Sequence, residues 1–331
     1  MRRLALAFSG LSPNVRGALW MTASALAFTV MSTLIKYLGE GYSPGLQTFY
    51  RQAAGFVILL PVILRHRSAA FATSRPDLLI FRAGAGTLGT MLSFYAFQNM
   101  PLADANALSF TRSLWLVPLA AFVVGERIGP LRIFAALAGF AGVLIMVRPG
   151  AGGHFALGLP ALAMLASSFL FALTVTGMKV LTRDHAPTVL LVWAATLGMV
   201  FSIPGALLSW RWPEPVDLAL LSVMGVMGTA TQAFYIRGMA AGDAAAMAPV
   251  DYIRLVFAAL VGFLLFAEVP GTWTIVGAAV VVASTLFITW REHAASRARG
   301  LDPWTCLLGS AHPNSSPSGG GGPRSGTEGV C

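Results

Sequence analysis

Apolar stretches of roughly twenty residues, each closed by a short polar or proline- and glycine-marked break, follow one another from residue 16 to residue 290. A helix that crosses a bilayer needs about 20 predominantly apolar residues. The pattern therefore predicts ten spans, at 16–37, 45–64, 77–98, 103–124, 131–147, 155–180, 187–209, 217–237, 244–267 and 272–290. Only Gly125 to Pro130 separates the fourth from the fifth, and only Glu268 to Thr272 separates the ninth from the tenth, so both pairs read as tight helical hairpins. Pro130 and Pro270 suit the first turn of the helix that follows, where a missing N–H costs little.

The spans repeat. Shifting the sequence by 143 positions aligns thirteen identities among the 44 positions from 18 to 61, including Ser24/Ser167, Phe28/Phe171, Thr33/Thr176, Lys36/Lys179 and Pro61/Pro204. The echo continues through Phe94-Tyr95 with Phe234-Tyr235, Asp104 with Asp243, Arg112 with Arg254 and Glu126 with Glu268. Because each half holds an odd number of spans, the second enters the membrane from the opposite side, and a pseudo-two-fold axis in the membrane plane should relate the halves. The expected fold is an all-α membrane protein of ten transmembrane helices arranged as two inverted five-helix repeats, residues 16–148 and 155–291. A cytoplasmic segment, 1–15, precedes them. A tail, 292–331, rich in Pro, Gly and Ser, cannot bury a core and is expected to be disordered.

Composition agrees. Of the 331 residues 56% are hydrophobic and 11% charged, with a mean hydropathy of +0.73, whereas a soluble domain carries about 25% charged residues. The net charge of +9 does not indicate nucleic acid, because the basic residues sit at span ends rather than in one patch. With the N-terminus in the cytoplasm, sixteen Lys and Arg fall on the cytoplasmic side, three outside (Lys36, Arg148, Arg211) and three within spans (Arg51, Arg112, Arg254). That is a strong positive-inside bias, and it puts both termini in the cytoplasm of a multi-pass protein of the cell (inner) membrane. The run Leu4 to Phe8 is too short for a cleaved signal, which leaves the first span as the insertion signal. Cys306 and Cys331 imply neither a disulfide framework nor a zinc site, and Cys331 lacks prenylation spacing.

The Phe49-Tyr50-Arg51 sequence of the second span and the Gly125-Glu126-Arg127 turn after the fourth, with Gly142 and Gly277, the helix count and the repeat, resemble the EamA-type branch of the drug/metabolite transporter superfamily over residues 16 to 291. The resemblance implies a secondary transporter of amino acids, nucleotide-like metabolites, vitamins or drugs, more often an exporter, with spans three, four, eight and nine around a cavity. Ala194 stands where the second repeat would carry the arginine, and Ser284 where it would match Gly142, so the halves are not chemically equivalent.

Ionisable side chains inside a bilayer cost several kcal/mol and need a reason. Arg112 sits centrally in Ser109-Phe110-Thr111-Arg112-Ser113, and its mate Arg254 follows Asp251 by one turn. Two readings stand open. Asp251 and Arg254 can neutralise each other within one helix. Alternatively, Arg112, Arg254 and Asp251 line a cavity, where Arg112 holds a carboxylate or phosphate through its planar fork and Asp251 carries a coupling proton. Asn106, Ser109, Arg112 and Trp115 form a stripe too polar for lipid, and the mates Tyr95 and Tyr235 are candidate pocket walls. Arg51 is open between snorkelling outward and function. Lys179 reads as structural, while Lys36 is open because it could face the cavity mouth. Glu126 and Glu268 are expected to satisfy the N–H groups at the start of the following helix.

No GxxxxGK[ST] loop provides for ATP, so alternating access driven by a gradient or by exchange is expected. The partners expected are a small-molecule substrate and the lipid bilayer, without nucleic acid, for a monomer or homodimer. No catalytic residue, metal or cofactor is expected. The substrate reads as a small anionic or zwitterionic metabolite, amino-acid-like or drug-like, moving outward. Uptake of a vitamin or nucleotide-like metabolite is the alternative, and a membrane-embedded enzyme or a non-transporting scaffold is the alternative of another class.

Overall fold

The structure, a computed structural model, describes residues 13–66, 71–119, 122, 130–147, 158–181, 187–241, 247 and 250–298. Eleven helices make up these residues together with one 3-10 turn: α1 Pro13–Tyr37, α2 Pro44–His66, α3 Pro76–Asn99, α4 Leu102–Ser109, α5 Thr111–Leu119, α6 Pro130–Val147, α7 Leu159–Leu181, α8 Pro187–Leu207, α9 Pro215–Ala241, α10 Ile253–Phe266 and α11 Thr272–Ala298. Six of them begin on a proline, where its fixed φ favours the helix and the N–H it lacks would have had no partner.

Six helices among the described residues are long and apolar enough to cross a membrane, and three shorter apolar ones accompany them. The fourth and ninth predicted spans are each broken by a turn, and they are repeat mates. The predicted fourth span is two helices, α4 and α5, joined at Phe110. The predicted ninth is α10, with a turn at Tyr252 just before it. The last helix runs past its predicted edge at 290 to Ala298. Glu126 and the tail from 299 lie outside the described residues, as does the side chain of Lys179.

The bundle buries several hydroxyls within its apolar core and turns many large apolar side chains outward. Ser24, Thr29, Ser32, Thr87, Ser167 and Ser168 are buried, while Leu19, Leu26, Val57, Leu88, Phe134 and Leu144 are exposed. Lipid is as apolar as leucine, so close packing and hydrogen bonds hold membrane helices together rather than burial of greasy faces. Of these six hydroxyls, all but that of Thr87 donate to backbone carbonyls. The mates Thr33 and Thr176 both reach back one turn, to Thr29 O at 2.8 Å and Ala172 O at 3.0 Å. The mates Ser24 and Ser167 both reach across to another helix, Ser24 to Thr231 O of α9 at 2.9 Å and Ser167 to Gly89 O of α3 at 2.7 Å.

Helix packing carries the same exchange. α1 lies along α9 as α7 lies along α3; α2 meets α9 as α8 meets α3; α10 meets α1 as α5 meets α7; and the mates α2 with α8, and α6 with α11, pack on each other directly. Glycines set these distances. A Cβ on Gly45 of α2 would strike the Gly205 carbonyl of α8, and one on Gly142 would come within 2.9 Å of Gly277 O across the α6–α11 contact.

Overpacking a tight contact costs about 1–3 kcal/mol. Gly45→Val is therefore expected to lower the thermal midpoint of the purified protein by several degrees. Gly177→Ala, where a Cβ meets nothing within 4 Å, should leave it unchanged. Equal midpoints for the two variants would show that the α2–α8 crossing is not as close as described.

Candidate functional site

Between α1, α2, α3, α4, α5, α7 and α10 lies a cavity of about 110 Å³, smaller than the 300–1,000 Å³ usual for small-molecule sites. Three guanidinium groups reach it, Arg51 from α2, Arg112 from α5 and Arg254 from α10. Phe28, Phe94, Phe97 and Phe171, with Met31 and Met164, supply apolar walls, and Thr90, Ser93, Ser109, Ser167 and Ser168 supply hydroxyls.

Two helix breaks present the central arginines. Around Phe110 the side chains compete for backbone carbonyls: Asn106 Nδ2 donates to Leu102 O (2.8 Å), Ser109 Oγ to Asn106 O (2.7 Å) and Thr111 Oγ1 to Leu108 O (2.7 Å). The chain tightens there, with Ser113 N–H donating to Phe110 O at 3.0 Å, and Leu255 N–H repeats that bond to Tyr252 O at 2.9 Å. Phe110 and Tyr252 stand 142 positions apart, the offset that relates Arg112 to Arg254, and their ring centroids are 4.5 Å apart. Both breaks thus meet at the interface between the halves. Each arginine occupies the first turn of the helix that restarts there, where the axial dipole adds positive potential to its own charge.

Arg254 is wedged between aromatic faces, its Cζ 3.9 Å from the Phe110 centroid and 5.2 Å from that of Phe28. Its Nη2 donates to Ser109 Oγ at 3.3 Å, and its Nε is buried with no hydrogen-bond partner among the described residues. Arg51 donates to Gln52 Oε1 at 3.3 Å. Gly228 gives Arg51 room, since a Cβ there would come within 3.1 Å of its Nε and 3.0 Å of Met31 Sδ.

Of the candidates from sequence, Arg112, Arg254 and Ser109 line this cavity, whereas Asp251, Tyr95, Tyr235, Asn106 and Trp115 do not. Asn106 is fully buried and bonded to its own helix. Trp115 stacks edgewise on Phe140 and Phe169, with centroids at 4.8 and 5.3 Å. Asp251 and Arg254 form no ion pair, since the one ion pair among the described residues joins Lys36 to Glu268. The open reading in which Asp251 and Arg254 neutralise each other by direct contact is therefore not the arrangement observed. Arg51 joins the site from a position that the sequence left open. Thr90, Ser93, Phe94 and Phe97, and likewise Met164, Ser167, Ser168 and Phe171, recur at helical spacing along one face. That repeated mixture of hydroxyls and aromatic rings was the signal by which they could have been found.

Lys36 and Glu268 belong to a separate cluster at the far end of α1. Lys36 Nζ is bonded to a Glu268 carboxylate oxygen and to Met100 O (2.8 Å), and it lies 5.4 Å from the Phe266 centroid. Glu268 does not cap the helix that follows it, as the sequence suggested. Its other oxygen accepts the Leu102 N–H at the start of α4, at 2.9 Å. The cause is local. Ala267 takes a left-handed φ of 53°, Glu268 N–H folds back to Gly262 O at 3.0 Å, and the carboxylate is carried across to α4. Nearby, the buried Tyr42 donates to Asp217 at 2.6 Å; burial first, and then the Asp217 carboxylate, push the tyrosine pKa up and hold it in its donating form.

An apolar helical bundle enclosing a polar, cationic chamber defines a multi-pass membrane carrier rather than a soluble binding module. The chain belongs to the EamA-like transporter family, whose pattern matches residues 15–148 and again 158–290. It is 29% identical over 282 residues to the S-adenosylmethionine uptake transporter of Rickettsia prowazekii, covering 85% of this chain and 95% of that one. It is 29% identical over 286 residues to the riboflavin transporter of Rhizobium johnstonii, covering 85% and 93%. The pseudopaline exporter CntI of Pseudomonas aeruginosa is 25% identical over 281 residues, covering 82% and 95%. A solved crystal structure, 19% identical, covers 86% of this chain and 98% of its own with a TM-score of 0.55, a likeness of fold. The protein is thus a drug/metabolite-type transporter of a small metabolite.

Glu268 serves two partners, and two substitutions separate them. Glu268→Gln keeps an acceptor for the Leu102 N–H but loses the charge facing Lys36, whereas Glu268→Ala loses both. The alanine variant is expected to be less stable than the glutamine variant by about 1 kcal/mol, the usual worth of a helix cap, read as a lower thermal midpoint. Equal midpoints would mean that the cap contributes nothing.

Proposed function

We propose that this chain is a secondary transporter that carries a small anionic or zwitterionic metabolite, amino-acid-like or drug-like, through the central cavity by alternating access. The observation that carries this reading is the set of three guanidinium groups, Arg51, Arg112 and Arg254, around one chamber between two halves. In the proposed architecture ten helices form two inverted five-helix repeats in the cell (inner) membrane, with both termini cytoplasmic. The exchanged helix pairs support the two-fold relation. The positive-inside bias supports the orientation. So does the gathering of the segments expected outside, since Lys36 meets Glu268, Tyr42 meets Asp217 and Ser43 meets Ser209.

Transport without ATP follows from the missing phosphate loop. Asp251 is the proposed proton carrier, and it is free of a direct bond to Arg254 among the described residues. Export is the direction proposed from the family resemblance. Uptake of a vitamin or nucleotide-like metabolite is the second reading, and the relatives named for S-adenosylmethionine uptake and for riboflavin favour it.

Metabolite profiles inside and outside cells of a deletion strain and an overexpressor test substrate and direction together. The exported metabolite should accumulate inside the deletion strain, and the reverse pattern selects uptake. No metabolite changing in either strain would reject transport. In proteoliposomes, Asp251→Asn is expected to abolish the dependence of flux on a pH gradient, and flux that keeps this dependence would remove Asp251 as the proton carrier.

A further inference from the structure

Resting on that transport reading, we propose that the cavity selects an organic oxyanion, a carboxylate or phosphate, borne on a flat aromatic ring and carrying no fixed positive charge. This cargo narrows the anionic-or-zwitterionic class above, and it is unlike the cation S-adenosylmethionine.

Charge is the first argument. A guanidinium carries five N–H donors and cannot be deprotonated in a protein. Among the described residues Arg51 uses one donor, on Gln52, Arg254 uses one, on Ser109, and Arg112 uses none. The Arg254 Nε is buried and unpartnered beside the cavity. No carboxylate stands among the lining residues. Asp251 lies near enough for its charge to act on Arg254, but one carboxylate offsets at most one of three cations. An ammonium or sulfonium group entering this chamber meets repulsion with no counter-charge on the walls. An oxyanion meets forked donors suited to bidentate binding.

Shape is the second argument. Phe28, which also flanks Arg254, packs edge to face with Phe97 at 6.0 Å between centroids, and Phe94 and Phe171 complete the apolar walls. These rings offer a stacking surface for a flat cargo next to the guanidinium groups. The hydroxyls refine it. Ser109 and Ser167 spend their protons on Asn106 O and Gly89 O. Ser109 also accepts from Arg254, which leaves it one lone pair and Ser167 two, so toward a cargo both act as acceptors for N–H or O–H groups on a ring.

The test uses the purified full-length chain in nanodiscs and two matched pairs of probes, flavin mononucleotide with riboflavin and adenosine 5′-monophosphate with adenosine. S-Adenosylmethionine and inorganic phosphate complete the set. In at least one pair the phosphate-bearing member is expected to bind about tenfold more tightly or better, and also more tightly than S-adenosylmethionine or inorganic phosphate. Arg112→Gln and Arg254→Gln should each lower the phosphate ester's affinity more than the neutral partner's and so remove that advantage. The proposal is overturned if neither pair shows the preference, if S-adenosylmethionine binds best, or if phosphate alone binds as well as the aromatic ester. The pairwise comparison in the unsubstituted chain holds even if a variant fails to fold. Flux in proteoliposomes separates this claim from the one it rests on. Selective binding without flux rejects transport and leaves the charge assignment standing, whereas flux of S-adenosylmethionine without anion preference rejects the assignment and leaves transport standing.

Discussion

A guanidinium group keeps its proton at any pH a cell meets, so three of them in the interior of a membrane protein must be satisfied by what surrounds them or by what enters. In this chain the surroundings do only part of that. Aromatic faces hold Arg254 in place, a serine and a glutamine each accept one N–H, and all three arginines line a chamber without a carboxylate on its walls. Much else in the central region follows from that constraint. The helix breaks at Phe110 and Tyr252 put two of the arginines in first turns, glycine at 228 makes room for the third, and the hydroxyl protons are turned toward backbone carbonyls.

The duplicated layout and the cavity are built from the same contacts, but the two halves do not share the cavity equally. Mated hydroxyls, mated breaks and exchanged helix pairs give the bundle its frame. The chamber itself draws most of its wall from the first half, with α7 and Arg254 contributed by the second. Ala194 stands where a second copy of Arg51 would be, so the positive field is lopsided. At the far end of α1 the Lys36–Glu268 pair, tied to the start of α4, links the two halves.

The polar stripe Asn106, Ser109, Arg112 and Trp115 shows how far sequence reasoning reached into the site. A step of three residues advances about 300° round an α-helix of 3.6 residues per turn, so a run of threes drifts about 60° at each step. From Asn106 to Trp115 the drift comes to half a turn. Ser109 and Arg112, neighbours within the drift, reach the cavity. The two ends of the stripe do not, Asn106 bonding its own helix and Trp115 packing on Phe140 and Phe169. For Glu268 the sequence pointed to the helix that follows it, but a single left-handed residue, Ala267, carries the carboxylate to another helix. No periodicity encodes that turn.

Local chemistry along the chain was enough to determine the helical class, the membrane environment, the internal duplication and the family, because span length, proline positions and repeated identities are properties of contiguous sequence. Which polar side chains share one chamber was decided only by tertiary packing. Arg51, Arg112 and Arg254 come together across intervals far longer than any helix, and their meeting depends on where glycines let helices approach and where two helices break.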